Sequence, residues 1–421
     1  MSETSSARRI LLTPVGTHGD VLPFLELGRA LAARGHEVVL VTAAPFAGAA
    51  ARAGLAFHPT ASAEEFDALT RHPGLWDVRE GLRVVMSMMG DAARALYGAL
   101  EALHRPGRTI VVGHTLAWGA RVFEERHQAP SLTVHLAPTA LRTVHELVLG
   151  RERDLSGWPV WVKRALMWGV DRFGIDRHAA PGLDALRREL GLPPVPRPIR
   201  SWLNSPGGVL GLFPEWFGAP QPDWPARVQL VGFTLPEEPG DQPPDPALEA
   251  FLEAGPPPVV VTPGSGNRQA RVMFEAALAA CERLRRRALL LTRFPEQVPP
   301  LPAWAHHGTW APLGRVLPRA ATLMHHGGVG TSAAGLTAGV PQLVVPFAFD
   351  QPDNASRLRR LGVARWGELR RPEELTRQLE ALLGDPEVGA ACARWRAAMD
   401  GPAAVRRAAD AVEALAPRTS R

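Results

Sequence analysis

Two histidines followed by small residues and a hydroxyl, His325-His326-Gly327-Gly328-Val329-Gly330-Thr331, carry the strongest chemical signal in this chain. They join an apolar run at residues 321–324 to a helix-like segment. The first turn of a helix leaves backbone N–H groups unpaired and carries the positive end of the helix dipole, so it favours a phosphate. A neutral imidazole and the Thr331 hydroxyl add donors there. Further on, Asp350-Gln351 follows a second apolar run at residues 341–347. An acid and an amide at a strand's C-terminal end are suited to hold the vicinal hydroxyls of a sugar. Together the two pieces describe a pocket for a sugar carried on a nucleoside diphosphate.

The elements that must position these groups alternate along the chain. Residues 10–15 form a short apolar run ending in glycine, residues 24–34 read as a helix stopped by Gly35, and residues 37–42 read as a β-branched strand. Further strands are expected at 109–113, 132–136 and 209–213. The stretch 232–246 is proline-rich, acidic and aperiodic, and reads as a linker. A second series follows, with strands at 259–262, 289–292, 321–324 and 343–346. Residues 386–416 read as two helices broken at Gly401-Pro402. Strands alternating with helices imply parallel sheets covered on both faces. The expected fold class is therefore α/β, two doubly wound Rossmann-like domains facing across a cleft, with ligands at the C-terminal ends of the strands.

Composition excludes several classes. A length of 421 residues suits two hydrophobic cores. With 46% hydrophobic and 21% charged residues, and no apolar run long enough to span a bilayer, a globular protein is expected. The polar segment Met1-Ser2-Glu3-Thr4-Ser5-Ser6 lacks an export signal's apolar core, which points to the cytoplasm. Cys281 and Cys392 lack metal-ligand spacing and read as inert thiols in a reducing compartment. The formal charge of +5 comes from scattered arginines, Lys163 being the one lysine among 47 basic residues, so no nucleic-acid partner is expected. No Asp-x-Asp pair and no His/Cys cluster is spaced for a metal.

Six further stretches carry a resemblance. They are Gly19-Asp20-Val21-Leu22-Pro23-Phe24, His72-Pro73-Gly74-Leu75-Trp76-Asp77, Leu203-Asn204-Ser205-Pro206-Gly207-Gly208-Val209, Leu212-Phe213-Pro214-Glu215-Trp216-Phe217, Asp223-Trp224-Pro225 and Asp350-Gln351-Pro352-Asp353-Asn354-Ala355. With them the chain resembles the GT-B glycosyltransferases of family 1 over nearly its whole length. Within that family it is similar to the rhamnosyltransferases of rhamnolipid synthesis. The resemblance implies an acceptor-binding domain at 1–233, a linker at 234–249, a nucleotide-sugar domain at 250–400, and a C-terminal helix at 401–421 packing back on the first domain.

For the donor, the resemblance implies that His326 contacts the diphosphate, with N–H groups from Gly328, Val329 and Gly330 and the hydroxyl of Thr331. Such donors act most where charge develops as the diphosphate leaves. Ser265 is expected near the phosphates, with Gly266 allowing close backbone approach. Trp310 is expected to stack on the base, with the Ala311 backbone at its edge, and Asp350 and Gln351 to hold the sugar. His325 is expected to aim elsewhere. Two positions depart from the plant pattern: Leu313 stands for a glutamine, and Ala334 for a glutamate that holds ribose hydroxyls. The second leaves room for a thymidine-linked donor.

For the acceptor, an alcohol must lose its proton as it attacks, which calls for a base within reach. The family places it one residue after the second glycine of Gly16-Thr17-His18-Gly19-Asp20, making Asp20 the expected base and His18 the runner-up. An aspartate there is also a routine helix cap. His114 stands where plant members carry the aspartate of a His–Asp dyad, so that dyad is not reproduced. Trp76, Met88, His114 and Trp161 are the expected acceptor-lining residues. The stretch 157–170, with three tryptophans and two cations, and the group Val84, Val85, Met86 and Met89 suit a greasy acceptor, a membrane surface or a core.

The resulting expectation is an inverting, metal-independent glycosyltransferase whose co-substrate is dTDP-L-rhamnose and whose acceptor is a hydroxyalkanoyloxy-alkanoate. It needs no further cofactor and sits in the cytoplasm, with peripheral contact at the inner face of the membrane. Transfer from UDP-glucose to sterols, macrolides or polyphenols stays open, as do a sugar-nucleotide 2-epimerase and a non-catalytic sugar-nucleotide-binding subunit. The sequence leaves the oligomeric state open.

Overall fold

The computed structural model describes residues 7–77, 80–149, 153–155, 157–235 and 245–415. Most of the expected linker lies outside the described residues. Runs such as Arg9–Thr13 and Val259–Thr262 are buried along their whole length, as parallel strands covered on both faces must be. The first half supplies β1 (Arg9–Thr13), β2 (Glu37–Thr42), β3 (Ala56–Pro59), β4 (Thr109–His114), β5 (Ser131–His135), a small hairpin of β6 (Val148–Leu149) and β7 (Arg153–Asp154), β8 (Val209–Gly211) and β9 (Val228–Leu230). Apart from the hairpin these form one seven-stranded sheet in the order β3-β2-β1-β4-β5-β8-β9. The second half supplies β10 (Val259–Thr262), β11 (Ala288–Leu291), β12 (Ala305–Gly308), β13 (Thr322–His325), β14 (Gln342–Val344) and β15 (Ala364–Trp366). They form a six-stranded sheet in the order β12-β11-β10-β13-β14-β15. Every strand pairing within both sheets is parallel.

Two differences from the sequence reading matter for the site. The first helix runs His18–Ala33, starting well before residue 24, and carries Pro23 inside it. Its start is fixed by Thr17 at the N-cap, whose backbone N–H is taken by the Asp20 carboxylate three positions on. Val84, Met86 and Met89 are buried, with Met86 and Met89 in the core beneath the first sheet, so they do not line a cleft.

The halves are joined by packing as well as by chain. Phe213, Phe217 and Phe233 enter the same core as Val261, Phe274 and Leu343 of the second half. The last helix, Gly401–Glu413, buries Ala408, Ala409 and Val412 in the core of the first sheet. Arg34 binds Asp410 and Glu413 on it, both at 2.7 Å. The chain thus crosses between the halves twice. The crossings lie side by side: Arg407 donates to the Val231 carbonyl at 2.6 Å, and a Cβ on Gly232 would sit 3.0 Å from that of Ala404. Among the described residues no helix is long and apolar enough to cross a membrane.

Candidate active site

On the first sheet, the register of β1 on β4 sets Thr13 beside Gly113, so the turn after β1 opens next to His114. Gly16 adopts φ +136°, and a Cβ there would lie 2.2 Å from Asp20 Oδ2. Only glycine leaves that space, and the Asp20 carboxylate folds back into it. Its Oδ2 accepts from Thr17 N at 2.7 Å, while Oδ1 lies 3.9 Å from His114 Nε2. The two oxygens therefore have separate surroundings. One completes a helix start; the other faces an imidazole beyond hydrogen-bonding range. A third of the side chain, 34%, stays open to the cleft. Burial by the surrounding protein pushes its pKa up to about 6, against the lowering effect of the Thr17 hydrogen bonds.

His114 is held neutral, its pKa pushed down to about 3 by burial and by the neighbouring His135. Its Nδ1 accepts from Leu116 N at 3.3 Å, which leaves the proton on Nε2, the nitrogen facing Asp20. His114, where the resemblance places the plant aspartate, thus faces Asp20 without a hydrogen bond to it. His18 turns elsewhere: its Nε2 is 3.2 Å from Arg293 Nη2, at the end of β11 in the other half. Burial, with that guanidinium, brings its pKa down to about 4.

On the second sheet, β10 pairs with β13 so that Thr262 lies beside His325, bringing the turns after them together. His325 is fully buried and its Nδ1 accepts from Gly327 N at 3.2 Å, a local role that keeps it out of the cleft. His326 lies between two glycines. A Cβ on Gly264 would meet its ring at 2.6 Å, and one on Gly328 at 2.4 Å. Burial holds it neutral, pushing its pKa down to about 4, and its Nδ1 is buried without a hydrogen-bond partner. Val329, Gly330 and Thr331 open the helix Val329–Ala338 that follows.

Asn354 ties the two donor motifs together and was not among the expected site residues. Fully buried, it donates to the Gly327 carbonyl at 2.9 Å and to Asp350 Oδ2 at 2.7 Å. Its place one helical turn after Asp350 was the available signal. Gln351 is more committed than expected. Its Oε1 accepts from Phe347 N at 2.7 Å and Ala348 N at 3.1 Å, so the amide oxygen is taken up by its own loop. Burial pushes the Asp350 pKa up to about 7, opposed by Asn354 and reinforced by the charge of Asp20. The two carboxylates, one from each half, feel each other across the cleft.

The halves touch at this level. A Cβ on Gly266 would lie 2.7 Å from Thr17 Cγ2 and 3.5 Å from the Trp76 ring. Trp76 stands edge-on to Phe349 at 5.7 Å, and its Nε1 is buried without a partner. Arg268 pairs with Asp67, and Gln269 Nε2 donates to the His72 carbonyl at 3.4 Å. Ser265 is half-buried in the same loop. Trp310 is exposed just past β12, while Ala311 is buried. The structure thus gathers Asp20, His114, Trp76, Gly266, His326 and Asp350 around the cleft. Met88 and Trp161 are solvent-exposed. Among the described residues, no group of three or more His, Cys, Asp or Glu side chains is placed to hold a metal.

Two parallel-sheet domains with a phosphate-type turn and an acid across a shared cleft define a GT-B enzyme using a nucleotide sugar. Residues 10–145 match the family description "Glycosyltransferase family 28 N-terminal domain", and residues 290–415 match "Erythromycin biosynthesis protein CIII-like, C-terminal domain". The chain is 32% identical to O-mycaminosyltylonolide 6-deoxyallosyltransferase of Streptomyces fradiae, over 97% of this chain and 94% of the relative. Among solved structures, the glycotransferase of kitacinnamycin superposes with a TM-score of 0.73 at 23% identity, covering 98% of this chain and 100% of that one. The spinosyn rhamnosyltransferase SpnG complexed with thymidine diphosphate superposes with a TM-score of 0.67 at 20% identity, covering 95% and 99%. The chain belongs to the family 28 and erythromycin CIII-like branch of the GT-B glycosyltransferases.

Proposed function

We propose that the enzyme moves a 6-deoxyhexose, such as L-rhamnose, from a thymidine diphosphate carrier to a hydroxyl of an apolar acceptor, inverting the anomeric centre without a metal. The observation that carries the reading is the Asp20 carboxylate, with one oxygen held by Thr17 at 2.7 Å and the other turned toward His114 at 3.9 Å. The acceptor O–H gives its proton to that second oxygen. As it does, the acceptor oxygen bonds to the anomeric carbon and the bond from that carbon to the diphosphate breaks on the opposite face. A pKa of about 6 makes Asp20 a stronger base than an ordinary carboxylate, yet leaves it ionised at neutral pH. Neutral His114 adds no charge beside that oxygen, and its 3.9 Å separation leaves the oxygen free to meet the acceptor hydroxyl. Negative charge on the departing diphosphate is met by His326, Ser265, Thr331 and the N–H groups that open the helix Val329–Ala338. Trp310 stacks on the base, and Asp350 with the Gln351 amide holds the sugar.

Thymidine is favoured by Ala334, which offers no carboxylate for a ribose 2′-hydroxyl, and by the SpnG complex with thymidine diphosphate. A deoxyhexose is favoured by the name of the Streptomyces fradiae relative. That name also moves weight from a hydroxyalkanoyloxy-alkanoate acceptor toward macrolide lactones. The test is a panel of dTDP-rhamnose, other dTDP-deoxyhexoses and UDP-glucose against macrolide aglycones and hydroxy-fatty acids, read by product mass spectrometry with and without EDTA. Transfer from a dTDP sugar, unaffected by EDTA, is expected. Asp20→Asn keeps an oxygen for Thr17 and should lower kcat by roughly 10²–10⁴ while the thermal shift with thymidine diphosphate holds. Turnover within a few-fold of the unsubstituted enzyme would remove Asp20 as the base.

A further inference from the structure

The exposed apolar side chains are concentrated rather than scattered. Among the described residues, six of the eleven large hydrophobic residues that are exposed lie between positions 158 and 173: Trp158, Trp161, Leu166, Trp168, Val170 and Phe173. Trp161 is 74% exposed and Phe173 63%. Single exposed hydrophobics are ordinary, but a contiguous patch of aromatics marks an interaction surface. The segment is the helix Val160–Gly169, continued by one π-helical turn over Val170–Ile175.

Its amphipathicity is reversed. A helix on a water-soluble protein turns its apolar stripe to the core and its polar face to water. Here the inward positions include Lys163, 2% exposed, whose ammonium donates to the His145 carbonyl at 3.4 Å, and Asp171, which pairs with Arg142. Met167 and Ile175 share that side. Trp161 and Trp168, two helical turns apart, face out, with Trp168 edge-on to Phe173 at 5.8 Å. Charge on the outer face has one sign. Between residues 157 and 177 both acids, Asp171 and Asp176, are buried, whereas Arg164, Arg172 and Arg177 are exposed. Indole and phenyl rings partition into the headgroup zone of a bilayer, and guanidinium groups beside them pair with lipid phosphates.

We propose that this face docks the enzyme on an anionic lipid surface, with Trp161, Trp168 and Phe173 entering the headgroup layer and Arg164 and Arg172 meeting lipid phosphates. Sedimentation of the full chain with vesicles of phosphatidylcholine, alone or mixed with phosphatidylglycerol, tests it. Pelleting is expected with the mixed vesicles, weakened by salt and accompanied by a blue shift of tryptophan emission. Arg164→Gln with Arg172→Gln should lower the partition coefficient roughly tenfold or more. Trp168→Ser with Phe173→Ser should abolish pelleting while the circular dichroism spectrum and Tm hold. The two double variants remove different contributions, so misfolding of one leaves the other decisive.

Equal pelleting with both vesicle types, or none with either, overturns the inference. So does a concentration-dependent doubling of mass that Trp168→Ser with Phe173→Ser removes, which would assign the face to a second copy of the chain. Loss of transfer in that variant with vesicle binding intact would instead assign the face to the acceptor site. Pelleting needs neither donor nor acceptor, so its failure leaves the transfer reading standing, and the failure of transfer leaves the lipid face standing.

Discussion

The carboxylates of Asp20 and Asp350 set the pH behaviour. Both have pKa values above the 3.8 of an ordinary aspartate, at about 6 and about 7. With Asp20 as the proposed base, protonation below about pH 6 removes its capacity to take the acceptor's proton. Transfer should therefore fall about tenfold per pH unit on the acid side of that value. The stability effect runs the other way from a paired carboxylate. Between pH 3.8 and these raised values the folded protein binds more protons than the unfolded chain, so the contribution of the pair declines as pH rises through that window. Asp350→Asn keeps an acceptor for Asn354 and removes the buried charge. Its Tm should exceed that of the unsubstituted enzyme at pH 8, by on the order of 2 °C, and the difference should vanish near pH 4. An unchanged gap across pH would show that ionisation of Asp350 is not its cause.

At the level of elements, how much could be read from the sequence follows burial. The nine strands expected in the two large sheets are the interior ones, where both faces are covered and the residues form unbroken apolar runs. The four that were missed, β3, β9, β12 and β15, are the sheet edges. Three of them are half-open, as in Ala305–Gly308 with its two histidines, and β9 and β15 have only three residues each. The turn after β13 and the turn carrying Asp20 were legible as turns because glycines and short polar residues follow an apolar run at each. The Asp20–His114 approach was not, since it depends on the register of β1 against β4. Asn354 was legible only as part of a motif, because its work is to bond a carbonyl 27 residues away. Asn354→Ala removes that bond and the one to Asp350. It should cost about 1–3 kcal/mol in urea unfolding and weaken thymidine diphosphate binding in the same variant. Normal nucleotide affinity would mean that the two donor turns hold their places without it.

Across the whole molecule, the last helix belongs in space to the domain that the chain builds first. It fills the first core with Ala408, Ala409 and Val412, all fully buried, and leaves Asp410 and Glu413 to bind Arg34. A charge at position 412 would have no partner in that core. Val412→Asp should therefore destabilise the first domain by several kcal/mol and split urea unfolding into two transitions, with the thymidine diphosphate shift surviving in the second domain. A single unshifted transition would show that the helix is dispensable to that core.

The paired crossings described above have a mechanical meaning. One thread between two bodies lets them twist as freely as they bend. Two threads lying against each other, as at Gly232 and Ala404, act like the two pins of a door and leave one line about which to swing. Any closure of the cleft would then be a swing about that line, carrying Asp20 toward the turn after β13 along one fixed path.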